Sequence, residues 1–135
     1  MLLPSECEVL YGRAGALQII LFLRKYLQEP MLGRDLVLSL INNIITQGEI
    51  LSHSSPTKLP LVWEWYEHVY LGAAHGIVGI LFTLLHFVSE LQDLGNAMNK
   101  DYLSMIRRSV DALQDMLLPS GNLPSTLGKP GLKAV

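Results

Sequence analysis

Two clusters of small residues hold the side chains in this 135-residue chain with the most chemical promise. His75 stands in Gly72-Ala73-Ala74-His75-Gly76. Histidine changes charge near neutral pH, so a group there can move a proton; the alternative is a histidine that is hydrogen-bonded and inert in an apolar helix. Tyr11 stands in Tyr11-Gly12-Arg13-Ala14-Gly15, where an aromatic at a helix start either assists a proton transfer or packs. Arg13 in the same turn is a candidate anion holder, since orphan N–H groups at a helix start also favour anions. Glu8, one turn upstream, offers it a salt bridge, and that structural pairing is the preferred reading of the two.

The remaining reactive residues do not assemble into a site. His75 and His86 share a face of one predicted helix, but eleven residues of helix separate them by roughly 16 Å, too far for common metal ligation. His53 and His68 add no ligand spacing. Cys7 precedes the first cluster and reads as a small buried hydrophobe. Nucleophile motifs, phosphate-binding loops and dinucleotide fingerprints are absent from the sequence. Trp63, Trp65, Tyr66 and Tyr70 form either a ligand-stacking wall or, the more usual role beside a core helix, part of the core.

Four helical segments are predicted to position these residues. The first covers Gly12 to Gln28, is apolar nearly all round until Arg24 and Lys25, and stops before Glu29-Pro30. The second, Arg34 to Gln47, carries Leu36, Val37, Leu40, Ile41, Ile44 and Ile45 as one stripe, with Gly48 to end it. Ser52 to Pro60 reads as a loop, and Leu61 to Leu71 as strand or irregular chain. A third helix, again apolar almost all round, covers Gly72 to Leu91. The fourth, Lys100 to Leu118, repeats Leu103, Ile106, Val110, Leu113 and Leu117, with Asn99 as its cap and Asp101 in the first turn.

The order is apolar, amphipathic, apolar, amphipathic. Superposing Gly15 on Gly76 gives a helical-hairpin repeat of 61 residues and projects a further cluster near residue 137. An inner helix buried on all sides beside an outer helix buried on one stripe is what a double-layered ring of helix pairs needs. A four-helix bundle with a glycine-tolerant core fits the periodicity equally.

Composition narrows the classes. Half the residues are apolar, only 16% are charged and the formal net charge is -2, with a mean hydropathy of +0.32. Disorder and phosphate-driven nucleic-acid binding are excluded. One cysteine allows no intramolecular disulfide, which leans toward a reducing cytosol. The longest apolar stretch, Ala73 to Val88, is short of a membrane span and carries two histidines, and the N-terminus has no basic segment before its apolar stretch. The chain reads as soluble, with apolar surface that expects a cover.

The segments CEVLYGRAGALQIILFL from Cys7, YLGAAHGIVGIL from Tyr70 and SGNLPSTLG from Ser120 resemble three successive motifs of the lanthionine synthetase C-like family, of the eukaryotic type. The resemblance covers essentially the whole chain. It departs from the family at Gly128 to Val135, where members usually continue into a Trp-Cys-His-Gly motif. The fold it implies is all-α, an α/α toroid, of which residues 1–135 are a partial domain: an arc of about two helix pairs, without N-terminal repeats and without the zinc-binding C-terminal repeats.

The function implied by the resemblance is zinc-dependent addition of a thiol, glutathione in eukaryotic members, to dehydroalanine or dehydrobutyrine in peptides or proteins. The zinc belongs to the full-length family member, held by two cysteines and a histidine from motifs not found here; no metal ligand is expected in this chain, which is expected to be inactive alone. By resemblance His75 faces the central cavity as general acid/base; at the matching mouth of the preceding inner helix Tyr11 assists it or holds a substrate phosphate, and Arg13 in the same turn is the candidate substrate-binding residue. The implied partners are glutathione and dehydroamino-acid peptides, with no nucleic acid. The implied location is the cytoplasm, with peripheral association at the plasma membrane. The competing reading is a non-catalytic adaptor that binds glutathione or a membrane surface on the same fold.

Overall fold

The computed structural model describes Leu3 and residues 5–127; the departure from the family motif at Gly128 to Val135 lies outside the described residues. Among the described residues the chain is all-helical: α1 Arg13–Leu27, α2 Arg34–Ser54, α3 Ile77–Leu84, α4 Val88–Met98 and α5 Tyr102–Gln114. α1 and α3 pack side by side and start at the same end; α2 packs on α1 and α5 on α3, while α4 packs on α2 and α5.

The repeat is real but its register is 64 residues, not 61. Gly12 and Gly76 are the N-caps of α1 and α3 and adopt nearly identical extended dihedrals. Arg13 and Ala14 donate their N–H groups to the carbonyls of Glu6 and Cys7; Ile77 and Val78, 64 residues on, donate to Tyr70 and Leu71. Each turn folds so tightly that a Cβ on either cap glycine would lie 2.5 Å from a backbone nitrogen, that of Glu8 or of Gly72. Only glycine leaves room for that approach. Matching Gly15 to Gly76 puts two different parts of this turn in register; matching the cap glycines places Tyr11 opposite His75. The outer helices follow one residue later, with buried Val37, Ile41, Ile44 and Gly48 answered 65 residues on by Tyr102, Ile106, Ser109 and Leu113.

Several element boundaries differ from the sequence expectation. The predicted third helix breaks into α3 and α4, bent by 91°. His86 Nδ1 bonds the Phe82 carbonyl at 2.8 Å, and the His86 N–H turns to Thr83 one residue closer. The side chain thereby takes the acceptor that the helix would need to continue. His75 lies in the turn before α3, so the helical spacing assumed between His75 and His86 does not apply. Among the described residues no single helix is long and apolar enough to cross a membrane; the bent α3–α4 pair reaches the length only when taken together.

Gly48 does not end α2, which continues through Ser54 into the predicted loop. It is buried under Trp63, whose Nε1 donates to the Ile44 carbonyl at 2.8 Å. The cap of α5 is Asp101, accepting the Ser104 N–H at 3.0 Å, whereas Asn99 closes α4 in the left-handed region. The inner helices are also less enclosed than expected. α1 buries only Ala14 and Leu17 fully and leaves Ile19, Phe22 and Tyr26 exposed.

Buried Glu90 joins the layers. Arg24 of α1 reaches it at 3.0 Å and Arg34 of α2 at 3.4 Å, with the Arg24 guanidinium over the Phe87 ring. A buried carboxylate is tolerable only with such partners.

Gly48→Ala is expected to destabilise the chain by about 1–3 kcal/mol, because its Cβ would meet the Trp63 indole at 2.7 Å. Gly72→Ala, with open space around its Cβ, should stay within about 0.5 kcal/mol of the parent. Urea titration followed by circular dichroism measures both.

Candidate functional site

Two equivalent glycine turns sit next to each other where α1 and α3 begin, and one carboxylate crosses between them. Glu8, only 2% exposed, accepts the Leu10 N–H at 3.1 Å and the Tyr11 N–H within its own turn. Its Oε2 then meets His75 Nδ1 of the second turn at 2.7 Å. Burial of a charged carboxylate demands donors, and the second repeat carries Gly72 at the matching position, with no side chain to compete. A carboxylate only accepts hydrogen bonds from an N–H, so His75 carries its proton on Nδ1 and leaves Nε2 as the second functional nitrogen.

The imidazole keeps 26% of its side-chain surface open and lies beneath Trp65, with ring centroids 3.7 Å apart and planes within 6°. Tyr11 lies parallel to both, 6.3 Å from His75 and 6.0 Å from Trp65, and Tyr70 is 6.1 Å from the imidazole at a tilt. Trp65 is held by a tight hairpin in which it exchanges both backbone hydrogen bonds with His68. The two central residues, Tyr66 and Glu67, both take positive φ, 47° and 63°. Non-glycine residues there are strained, and the pairing of Trp65 with His68 pins them.

The structure thus brings His75 and Tyr11 together and adds Glu8 and Trp65. Glu8 pairs with His75 rather than with Arg13. The Arg13 guanidinium turns instead to the carbonyls of Leu3 and Glu6, the latter at 3.2 Å, and so braces the turn that carries Tyr11. The aromatic cluster divides: Trp63 is core, as read, while Trp65 faces the site. The 64-residue register, visible as Tyr-Gly-x-x-Gly against His-Gly-x-x-Gly, is the sequence signal that would have set Tyr11 beside His75. Nothing local marks Trp65. The SGNLPSTLG segment also reaches this region: Leu71 N–H bonds the Ser125 carbonyl at 3.0 Å, and Leu127 N–H the Val69 carbonyl at 2.9 Å.

Among the described residues no group of three or more His, Cys, Asp or Glu side chains converges as a metal would require. Cys7 is buried behind the first turn, its thiol pushed up to about 12 by desolvation, against the lowering influence of Arg13. With no such converging group, the described residues do not by themselves make up a zinc centre.

The sequence profile of the lanthionine synthetase C-like protein family matches residues 2–131. Glutathione S-transferase LANCL1 of Danio rerio is 31% identical over 124 residues, 90% of this chain and 29% of that protein. LanC-like protein GCL1 of Arabidopsis thaliana is 31% identical over 128 residues, 95% of this chain and 28% of its own length. The chain spans under a third of the length of these curated relatives.

With its thiol pushed up to about 12, Cys7 is expected to resist iodoacetamide at pH 8 in the folded chain, since the thiol form is not the nucleophile. Denaturation should return an ordinary reaction rate, measured by mass spectrometry of the alkylated chain.

Proposed function

The chain belongs to the lanthionine synthetase C-like family, and on that basis we propose that its Glu8–His75 pair moves the proton when a glutathione thiol adds to dehydroalanine or dehydrobutyrine in a peptide or protein. The observation that carries this reading is the 2.7 Å contact between a buried carboxylate and a half-buried imidazole. The name of the zebrafish relative, a glutathione S-transferase, supports glutathione as the thiol.

In this reading Glu8 keeps the N–H on Nδ1, and Nε2 takes the proton that the thiol gives up. The sulfur bonds to the β-carbon while the carbon–carbon π pair moves toward the carbonyl as an enolate. The imidazolium, stabilised by the Glu8 carboxylate, then returns the proton from Nε2 to the α-carbon. One S–H and one π bond are lost, and one C–S and one C–H bond are gained. Tyr11 stands beside the imidazole to hold the substrate, with Arg13 acting through the turn it braces. Trp65 covers one imidazole face. Family zinc has no ligand set among the described residues, and no step here passes through it.

In a polypeptide that carries this segment at full family length, His75→Ala is expected to lower kcat for the adduct of glutathione with a dehydroalanine peptide by about 100- to 10,000-fold. Glu8→Gln should lower it by about tenfold or more while leaving the imidazole in place. Mass spectrometry of the adduct reads both. An unchanged kcat in His75→Ala would take the proton transfer away from this residue and leave a binding role for the fold.

A further inference from the structure

The two apolar faces left open beside α1 and α3 are the two halves of one interface, displaced by a repeat. Across the seam between these helices Gln18 Nε2 donates to Thr83 Oγ1 at 2.9 Å, and Val9 closes on Gly79, where a Cβ would lie 2.9 Å from its methyl. Carried forward by 64 residues, the first-repeat partners Val9 and Gln18 become Ala73 and Phe82. Carried back, the second-repeat partners Gly79 and Thr83 become Gly15 and Ile19. Ala73 and Phe82 are exposed, as is Ile19, and Gly15 is half-buried. Ile19 is 63% exposed and Phe82 61%.

Gly15, Ile19 and Phe82 each lie on a groove. One runs along α1 past Gly15, Ile19 and Phe22. The other lies between α3 and α5 and is walled by Val78, Leu81, Phe82, Leu85 and Leu117 among others. Phe82 thus stands in the α3 groove at the position where α1 turns Gln18 toward α3, and Gly15 and Ile19 stand in the α1 groove at the positions where α3 turns Gly79 and Thr83 toward α1. The internal seam shows that such faces pack.

We propose that the chain binds a second copy of itself head to tail, with the Phe82–Leu85 face of one copy against the Ile19–Phe22 face of the next, repeating the α1/α3 packing between molecules. Such a contact is heterologous: it uses two different patches and leaves one of each open at the ends of any assembly, so it extends until a ring closes. This inference rests on the repeat register and not on the catalytic reading.

Light scattering on the 135-residue chain should give a mass above 15.0 kDa that rises with concentration. Ile19→Asp and Phe82→Asp each remove one patch, and each variant alone is expected to be monomeric with unchanged helical circular dichroism. Mixed together, the two retain one intact pair of patches and should form a one-to-one dimer and nothing larger. Phe22→Asp and Leu85→Asp, also at exposed positions, provide a second pair with the same expected pattern should either first variant lose its fold. A parent chain that stays monomeric at every concentration, or a mixture that stays monomeric, overturns the proposal. So does association that one variant abolishes and the other leaves intact, which would mean a symmetric patch.

Discussion

A buried carboxylate that must find donors organises this structure. Glu8 is enclosed where two helices begin and satisfies its oxygens with two backbone N–H groups of its own turn and with His75 from the other. Without His75 one oxygen would lose a charge-assisted partner in a poorly hydrated place; without Glu8 the imidazole would have no fixed tautomer. The same contact therefore serves packing and chemistry. It joins residues 67 positions apart, and it forms because α1 and α3 start at the same end.

That common start depends on glycine. Both turns fold back so closely that a side chain at Gly12 or Gly76 would strike backbone, and both send the next two N–H groups to equivalent carbonyls. On this shared backbone the side chains have diverged. Tyr11 answers His75, and Glu8 answers Gly72. An acid in one turn and a bare glycine in the other let a single carboxylate serve both without a like charge facing it. The Trp65 hairpin completes the arrangement from outside the repeat, its two strained residues held by a pair of backbone hydrogen bonds.

The apolar surplus in the composition has a structural location. Part of it lies on α1 at Ile19, Phe22 and Tyr26 and at the end of α3 at Phe82 and Leu85, beside exposed Leu36 and Ile50 of α2 and Met98 of α4. Helices that were expected to be buried all round are buried on the sides that meet the outer layer and each other. The 91° bend after Leu84 turns α4 away from the inner layer, which carries Glu90 to the arginines of α1 and α2 and buries Phe87.

Local periodicity and side-chain size were legible in the sequence. They announced four helical segments, a repeated glycine turn and His75 as the residue worth following, because hydrophobic spacing and the demand for glycine are properties of neighbouring residues. The register of the repeat was only half legible: the glycines announce that a turn recurs, but which glycine caps the helix depends on the carbonyls it folds against. The break at His86 was hidden because an apolar run reads as continuous helix until one side chain takes a backbone acceptor. Glu8 was noticed but joined to Arg13, its neighbour in sequence, since a chain read in order favours short-range charge pairs. Its pairing with His75 and the stacking of Trp65 were decided by tertiary structure alone, because both contacts exist only once separate segments are packed against one another.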